Sequence, residues 1–173
     1  MNKFVASVLL GAVLAVASVG TAAASAPSRL VAPERVTSSG PMSFQMFCAV
    51  HPRECIPSGA TKITLTQDVV TLLQRVNTRV NRSIRPRLDS AAFQLWQINP
   101  RSGDCKSYVV SKRHQLIEAG LPASALRIAY VKTRTGEGHA VLVVKTSQGD
   151  LTLDNLTGEI VPFRSTGYRV VAM

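Results

Sequence analysis

Residues 104–146 read DCKSYVVSKRHQLIEAGLPASALRIAYVKTRTGEGHAVLVVKT, and their hydrophobic period changes halfway along. Asp104 is a capping residue, and Cys105 to about Ala119 reads as a helix stopped by Gly120 and Pro122. Apolar and β-branched residues then dominate Ala125–Thr133 and His139–Thr146, with Gly136 and Gly138 in the turn between them. Upstream, Thr66 caps another predicted helix that runs to about Ser83 with an apolar face of Val69, Leu73, Val76 and Val80. Pro86 ends that pattern, Ala91–Ile98 is an apolar run, and Pro100–Gly103 forms a turn. Downstream, Leu151–Leu156 and Tyr168–Ala172 continue in strand style, with glycines at 149, 158 and 167. Helices first and strands second predict an α+β fold, helices packed on an antiparallel sheet.

The 173 residues suit one domain. With 46% apolar and 17% charged residues the chain is not disordered, and with 5% aromatics its core is mostly aliphatic. Three cysteines are too few for a disulfide-dense miniprotein or a four-cysteine zinc site, and three histidines leave little room for a His-rich metal centre. The formal charge is +10.

Met1–Lys3 is a short positive start, Phe4–Val19 is uncharged and apolar, and residues 21–26 are small. This layout predicts a signal peptide over residues 1–24; an uncleaved anchor is the alternative, but the apolar stretch is slightly short for a span. Residues 25–43, with three prolines, read as a leader, and 44–173 as the folded domain. The expected destination is the periplasm or the exterior, where disulfides persist. Cys48 and Cys55 flank a short proline-containing loop and are expected to form one; two buried free thiols are the alternative, and a zinc site with His51 lacks a fourth ligand.

Cys105 is then unpaired. At a helix N-terminus, free N–H groups and the helix dipole stabilise a thiolate. A cysteine nucleophile needs a base, and the base an orienting group. His139 follows glycines into an apolar strand, whereas His51 and His114 read as ordinary packing or surface residues. Asp154 is an acid in an otherwise apolar run, costly there unless paired. The register between them is open. A turn on Thr146-Ser147 sets Asp154 opposite His139. A three-residue loop, Ser147 to Gly149, fits the glycine better but shifts Asp154 by about 10 Å and onto the other face, so that a bulge is needed.

Together these residues resemble the bacterial transglutaminase-like cysteine proteinases. The resemblance is carried by Gly103-Asp104-Cys105, Tyr108, Lys112-Arg113, Leu116–Gly120, Gly136–Leu142 and Gly149–Asn155, and upstream by Phe47-Cys48, His51-Pro52, Cys55, Val76-Asn77, Val80-Asn81 and Ile84–Pro86. It covers about Phe44 to Tyr168 and implies a papain- and transglutaminase-like fold in which Cys105 is the nucleophile, His139 the base and Asp154 the orienter. It also implies a protein substrate, since better-known relatives are periplasmic proteases that clip surface adhesins. Some relatives bind calcium through acids around the cysteine, often Asp-Cys-Glu-Asp-Tyr. Here the run is Asp104-Cys105-Lys106-Ser107-Tyr108, and only Asp104 of those acids remains. Calcium takes six to eight oxygens, so no metal or other cofactor is expected.

The expected chemistry is acyl transfer, to water in a peptidase or to an amine in a transglutaminase. The oxyanion donors are expected to be the Cys105 N–H and one more group, Trp96 or Asn155, although core packing is the favoured role for Trp96. Asn77 and Asn81, four apart on one helix face, either brace the site or are simply solvated. Two non-enzymatic readings compete: a catalytically silent scaffold, and a binding module using Arg75, Arg79, Arg82, Arg85 and Arg87. The export signal and the lack of interleaved aromatics argue against nucleic acid as the partner of that basic stripe and leave an anionic envelope surface.

Overall fold

The computed structural model describes residues 40–88 and 95–173. The signal segment, most of the leader and part of the Ala91–Ile98 run lie outside these residues. Three helices are present: α1 Met42–Val50, α2 Gln67–Ser83 and α3 Cys105–Glu118. The strands are β1 Arg85–Pro86, β2 Ser102–Gly103, β3 Leu126–Lys132, β4 Gly138–Thr146, β5 Gly149–Leu153, β6 Val161–Pro162 and β7 Arg169–Ala172. β1 and β2 form a short parallel pair, so part of the expected turn at 100–103 is a strand; β3 to β7 make one antiparallel sheet in the order β6-β5-β4-β3-β7. No helix among the described residues is long and apolar enough to cross a membrane.

Local chemistry explains both long helices. Thr66 accepts a hydrogen bond from the Val69 N–H at 3.3 Å, and α2 buries Leu73, Val76 and Val80, the expected stripe. Asp104 caps α3 by accepting from the Lys106 N–H at 3.0 Å. At the other end Gly120 takes φ +91°. Its N–H bonds the Ile117 carbonyl, and the Leu121 N–H bonds that of Leu116. This is a Schellman closure, which favours glycine at the left-handed position. The helices pack on one side of the sheet, where Leu73, Val80, Tyr108 and Leu116 meet Ala140, Leu142 and Val144. Val131, Val141 and Val143 cover the other side with Phe163 and Met173.

The hairpin between β4 and β5 has neither expected loop. Thr146 pairs with Gly149 and Leu142 with Leu153, leaving a two-residue turn, Ser147-Gln148. The cause is not local. Ile63 donates to the Lys145 carbonyl and accepts from the Ser147 N–H, and Ser147 Oγ accepts from the Leu65 N–H, so the segment before α2 clamps the turn. Gly149, at φ +113°, absorbs the resulting backbone twist.

Cys48 and Cys55 form a disulfide beside a small cluster of Phe47, Trp96 and Val110. Next to it Glu54, almost fully buried, accepts from Arg113 Nη1 at 3.0 Å and meets His114 Nδ1 at 2.8 Å. Arg113 also donates to the Leu126 and Ala123 carbonyls, which joins the disulfide loop, α3 and β3. Removing one partner of such a pair strands a buried charge. Glu54→Ala is therefore expected to cost about 3–5 kcal/mol in urea unfolding at neutral pH; a loss under 1 kcal/mol would show that the pair is solvated.

Candidate active site

Cys105 opens α3 as a free, partly buried thiol. Its position depends on Gly103, since a Cβ there would lie 2.5 Å from Ser107 Oγ and push β2 off the first helical turn. His139 is the second residue of β4 and is 7% exposed. Its Nε2 lies 2.8 Å from Asp154 Oδ1, and it lines the same cleft as Cys105, whose thiol is near enough to act on its titration. Asp154 follows the end of β5 rather than lying within it. Continuing the observed register by one residue sets it opposite Val141, two positions from His139 on the same side of the pleat. Such diagonal neighbours lie about 7–8 Å apart at Cα, within reach of an imidazole and a carboxylate. No bulge is required.

Burial would lower the His139 pKa, but the hydrogen bonds and charges of Asp154 and Cys105 outweigh it and raise the pKa to about 9. Burial would raise that of Asp154, but bonds from His139, the Leu156 N–H and the Tyr168 hydroxyl hold it below the usual carboxylate range. Tyr168 donates to Asp154 Oδ2 at 2.6 Å, and its ring meets the His139 ring edge-on at 5.9 Å. Sequence reasoning missed this residue. The only signal was a tyrosine just before the final strand, fourteen residues from its partner.

The supporting residues divide. Asn81 Nδ2 donates to the Asp154 carbonyl at 2.9 Å and to that of Thr157 at 3.3 Å, and Asn77 Nδ2 to that of Gly158 at 3.2 Å. Both therefore tie α2 to the loop that carries Asp154. Trp96 is packed against Phe44 and Tyr130, and its Nε1–H donates to Ser43 Oγ at 3.3 Å. That donor is engaged by Ser43, so the geometry gives Trp96 the packing role favoured for it rather than the oxyanion alternative. Asn155 lines the cleft beside Cys105 and His139. His51 packs against Phe47, and His114 binds Glu54. Lys112 is fully buried; burial draws its pKa down to about 7 although Asp154 opposes the shift. The whole cleft encloses about 1440 Å³ and is bordered by Cys105, His139, Trp96, Tyr130 and Leu88.

The residues around Cys105 do not fit calcium. Asp104 Oδ1 caps the helix and Oδ2 pairs with the Lys106 ammonium, itself almost buried. A cation already occupies the carboxylate a calcium ion would need.

A helix that presents a cysteine at its N-terminus to an antiparallel sheet bearing a histidine is the transglutaminase-like arrangement. The family model for bacterial transglutaminase-like cysteine proteinases (BTLCP) matches residues 34–173, and this chain belongs to that family. Among solved structures it is similar to LapG of Legionella pneumophila, at 25% identity and a TM-score of 0.54, over 60% of this chain and 62% of that one. The calcium-bound form of LapG shares the fold at 22% identity and a TM-score of 0.56, over 76% and 75% of the two chains. A comparison with curated proteins gives no match.

Proposed function

We propose that this chain is an exported thiol peptidase that cleaves protein amide bonds through Cys105, His139 and Asp154, with a cell-surface protein as substrate. The observation that carries this reading is the His139 ring, bonded to Asp154 and lining the same cleft as the free Cys105 thiol. Nε2 gives its proton to the Asp154 carboxylate as a hydrogen bond, which leaves Nδ1 for the thiol. Nδ1 takes the thiol proton, the thiolate attacks the amide carbon, and the imidazolium returns a proton to the leaving amine. Water, deprotonated by the same ring, then cleaves the thioester. Family membership and the likeness to LapG favour proteolysis and a protein substrate. The apolar N-terminal segment supports export, and the exposed Arg75, Arg79 and Arg82 on α2 suit contact with an anionic envelope surface.

The test is alkylation by iodoacetamide at mildly acidic pH. Cys105 is expected to label faster than a free cysteine, and His139→Ala to abolish the advantage. Labelling of the parent protein at the free-thiol rate removes the enzyme reading. The site is also expected to work without calcium, because the Lys106 ammonium neutralises Asp104. Activity should be unchanged by EGTA, and a loss restored by added calcium would sink that expectation.

A further inference from the structure

Trp96, one of the two candidate second oxyanion donors, is engaged by Ser43, yet the same wall of the cleft holds another donor. Tyr130 lies on β3 opposite Ala140, the neighbour of His139 on β4. Ala140 packs on the helix side of the sheet, so Tyr130 projects toward α3. Its ring rests edge-on against Trp96 at 5.9 Å and beside Val110 of α3, which fixes its direction. Its hydroxyl is buried and has no hydrogen-bond partner among the described residues. A buried donor left unpaired costs about 1–3 kcal/mol, so its presence in a catalytic cleft asks for an acceptor that arrives with substrate.

We propose that the Tyr130 hydroxyl, with the Cys105 backbone N–H, forms the oxyanion hole and acts as a catalytic residue. The Cys105 N–H, first in its helix, has no intrahelical acceptor and is free for this use. When the thiolate adds to the carbonyl carbon, an S–C bond forms and the C=O π pair moves onto oxygen. Two neutral, fixed donors then meet a full negative charge. Burial raises the Tyr130 pKa, and the charges of Cys105 and Asp104 raise it further, so the phenol keeps its proton and remains a donor. This role rests on Cys105 being the nucleophile.

Tyr130→Phe removes one oxygen and leaves the packing intact. A simple aldehyde, N-acetylglycinal, tests the hole without knowledge of the substrate, because the thiol adds to it to give a hemithioacetal that carries the same oxygen. Its affinity is read from protection of Cys105 against iodoacetamide. The parent protein is expected to lose about tenfold or more in aldehyde affinity on Tyr130→Phe, and peptide hydrolysis about 10²–10³-fold in kcat with KM nearly constant. The iodoacetamide rate is expected to stay the same, since alkylation builds no oxyanion. Unchanged aldehyde affinity overturns the role. So does an alkylation rate that falls with it, because the hydroxyl would then be serving the thiolate. If the parent protein itself labels no faster than a free thiol, the nucleophile reading has failed instead, and the two failures are told apart.

Discussion

His139→Ala is expected to leave a folded protein whose kcat/KM for peptide hydrolysis is lower by about 10⁴-fold, at the upper end for loss of a general acid–base. The ring acts twice in one cycle, accepting the thiol proton and then protonating the amine. Without it, an expelled amide anion is far too basic to leave. The imidazole pKa near 9 also sets a pH window. Above it the ring cannot supply the proton, so kcat/KM should fall on an alkaline limb near pH 9. Stability follows the same group. Its folded pKa lies above the ordinary value of about 6.5, so the stabilisation is complete below about pH 6.5 and is lost as pH rises through the folded value. Urea unfolding of His139→Ala should therefore differ most from the parent protein near pH 6 and converge above pH 9. The opposite order would mean that the imidazole is buried neutral, and the proposed ion pair would fall with it.

How far the sequence could reach is clearest where caps meet long-range contacts. Thr66 and Asp104 are bonded within three residues of themselves, and both helices begin where those residues predict. The change from helical to strand period after Gly120 is likewise local, and the antiparallel sheet followed from it. The β4–β5 register did not, because Ser147 is held by Ile63 and Leu65, more than eighty residues upstream. A glycine at 149 was compatible with several loops, and a distant backbone chose among them. The same limit applied within the site. Cys105, His139 and Asp154 were singled out by residue type and setting. Tyr168 reaches Asp154 only because β7 docks on the far edge of the sheet. Residue type left Trp96 open between packing and the oxyanion, and Ser43 of α1, fifty-three residues away, decides for packing by accepting its N–H. That Lys112 lies inside is likewise a property of the packing around α3, not of its residue type.

Asp154→Asn is expected to lower kcat by about 10³-fold, within the 10²–10⁴ range for groups that govern proton transfer. The substitution is nearly isosteric, and its hydrogen bonds can largely survive. The amide oxygen can keep the Leu156 N–H and His139, while the amide nitrogen turns to Tyr168, whose hydroxyl rotates from donor to acceptor. The ring would then remain oriented, and the main loss is charge. The carboxylate is a principal reason the imidazole pKa stands near 9, so the alkaline limb of kcat/KM should move down toward about 6.5. A second consequence appears in acid. Asp154 has a depressed folded pKa, so its stabilisation is present above the ordinary carboxylate value and is lost as pH falls through the folded one. The asparagine variant lacks that titration, and its unfolding free energy should change less than the parent's as pH falls below the ordinary carboxylate range. Tyr168→Phe separates orientation from charge. It removes one donor from the carboxylate and keeps the charge, so its limb should stay near 9 while kcat falls by about tenfold, as for one hydrogen bond of roughly 1–1.5 kcal/mol. If Asp154→Asn keeps the limb at its parent position, the carboxylate does not act on His139, and the triad reduces to a Cys105–His139 pair.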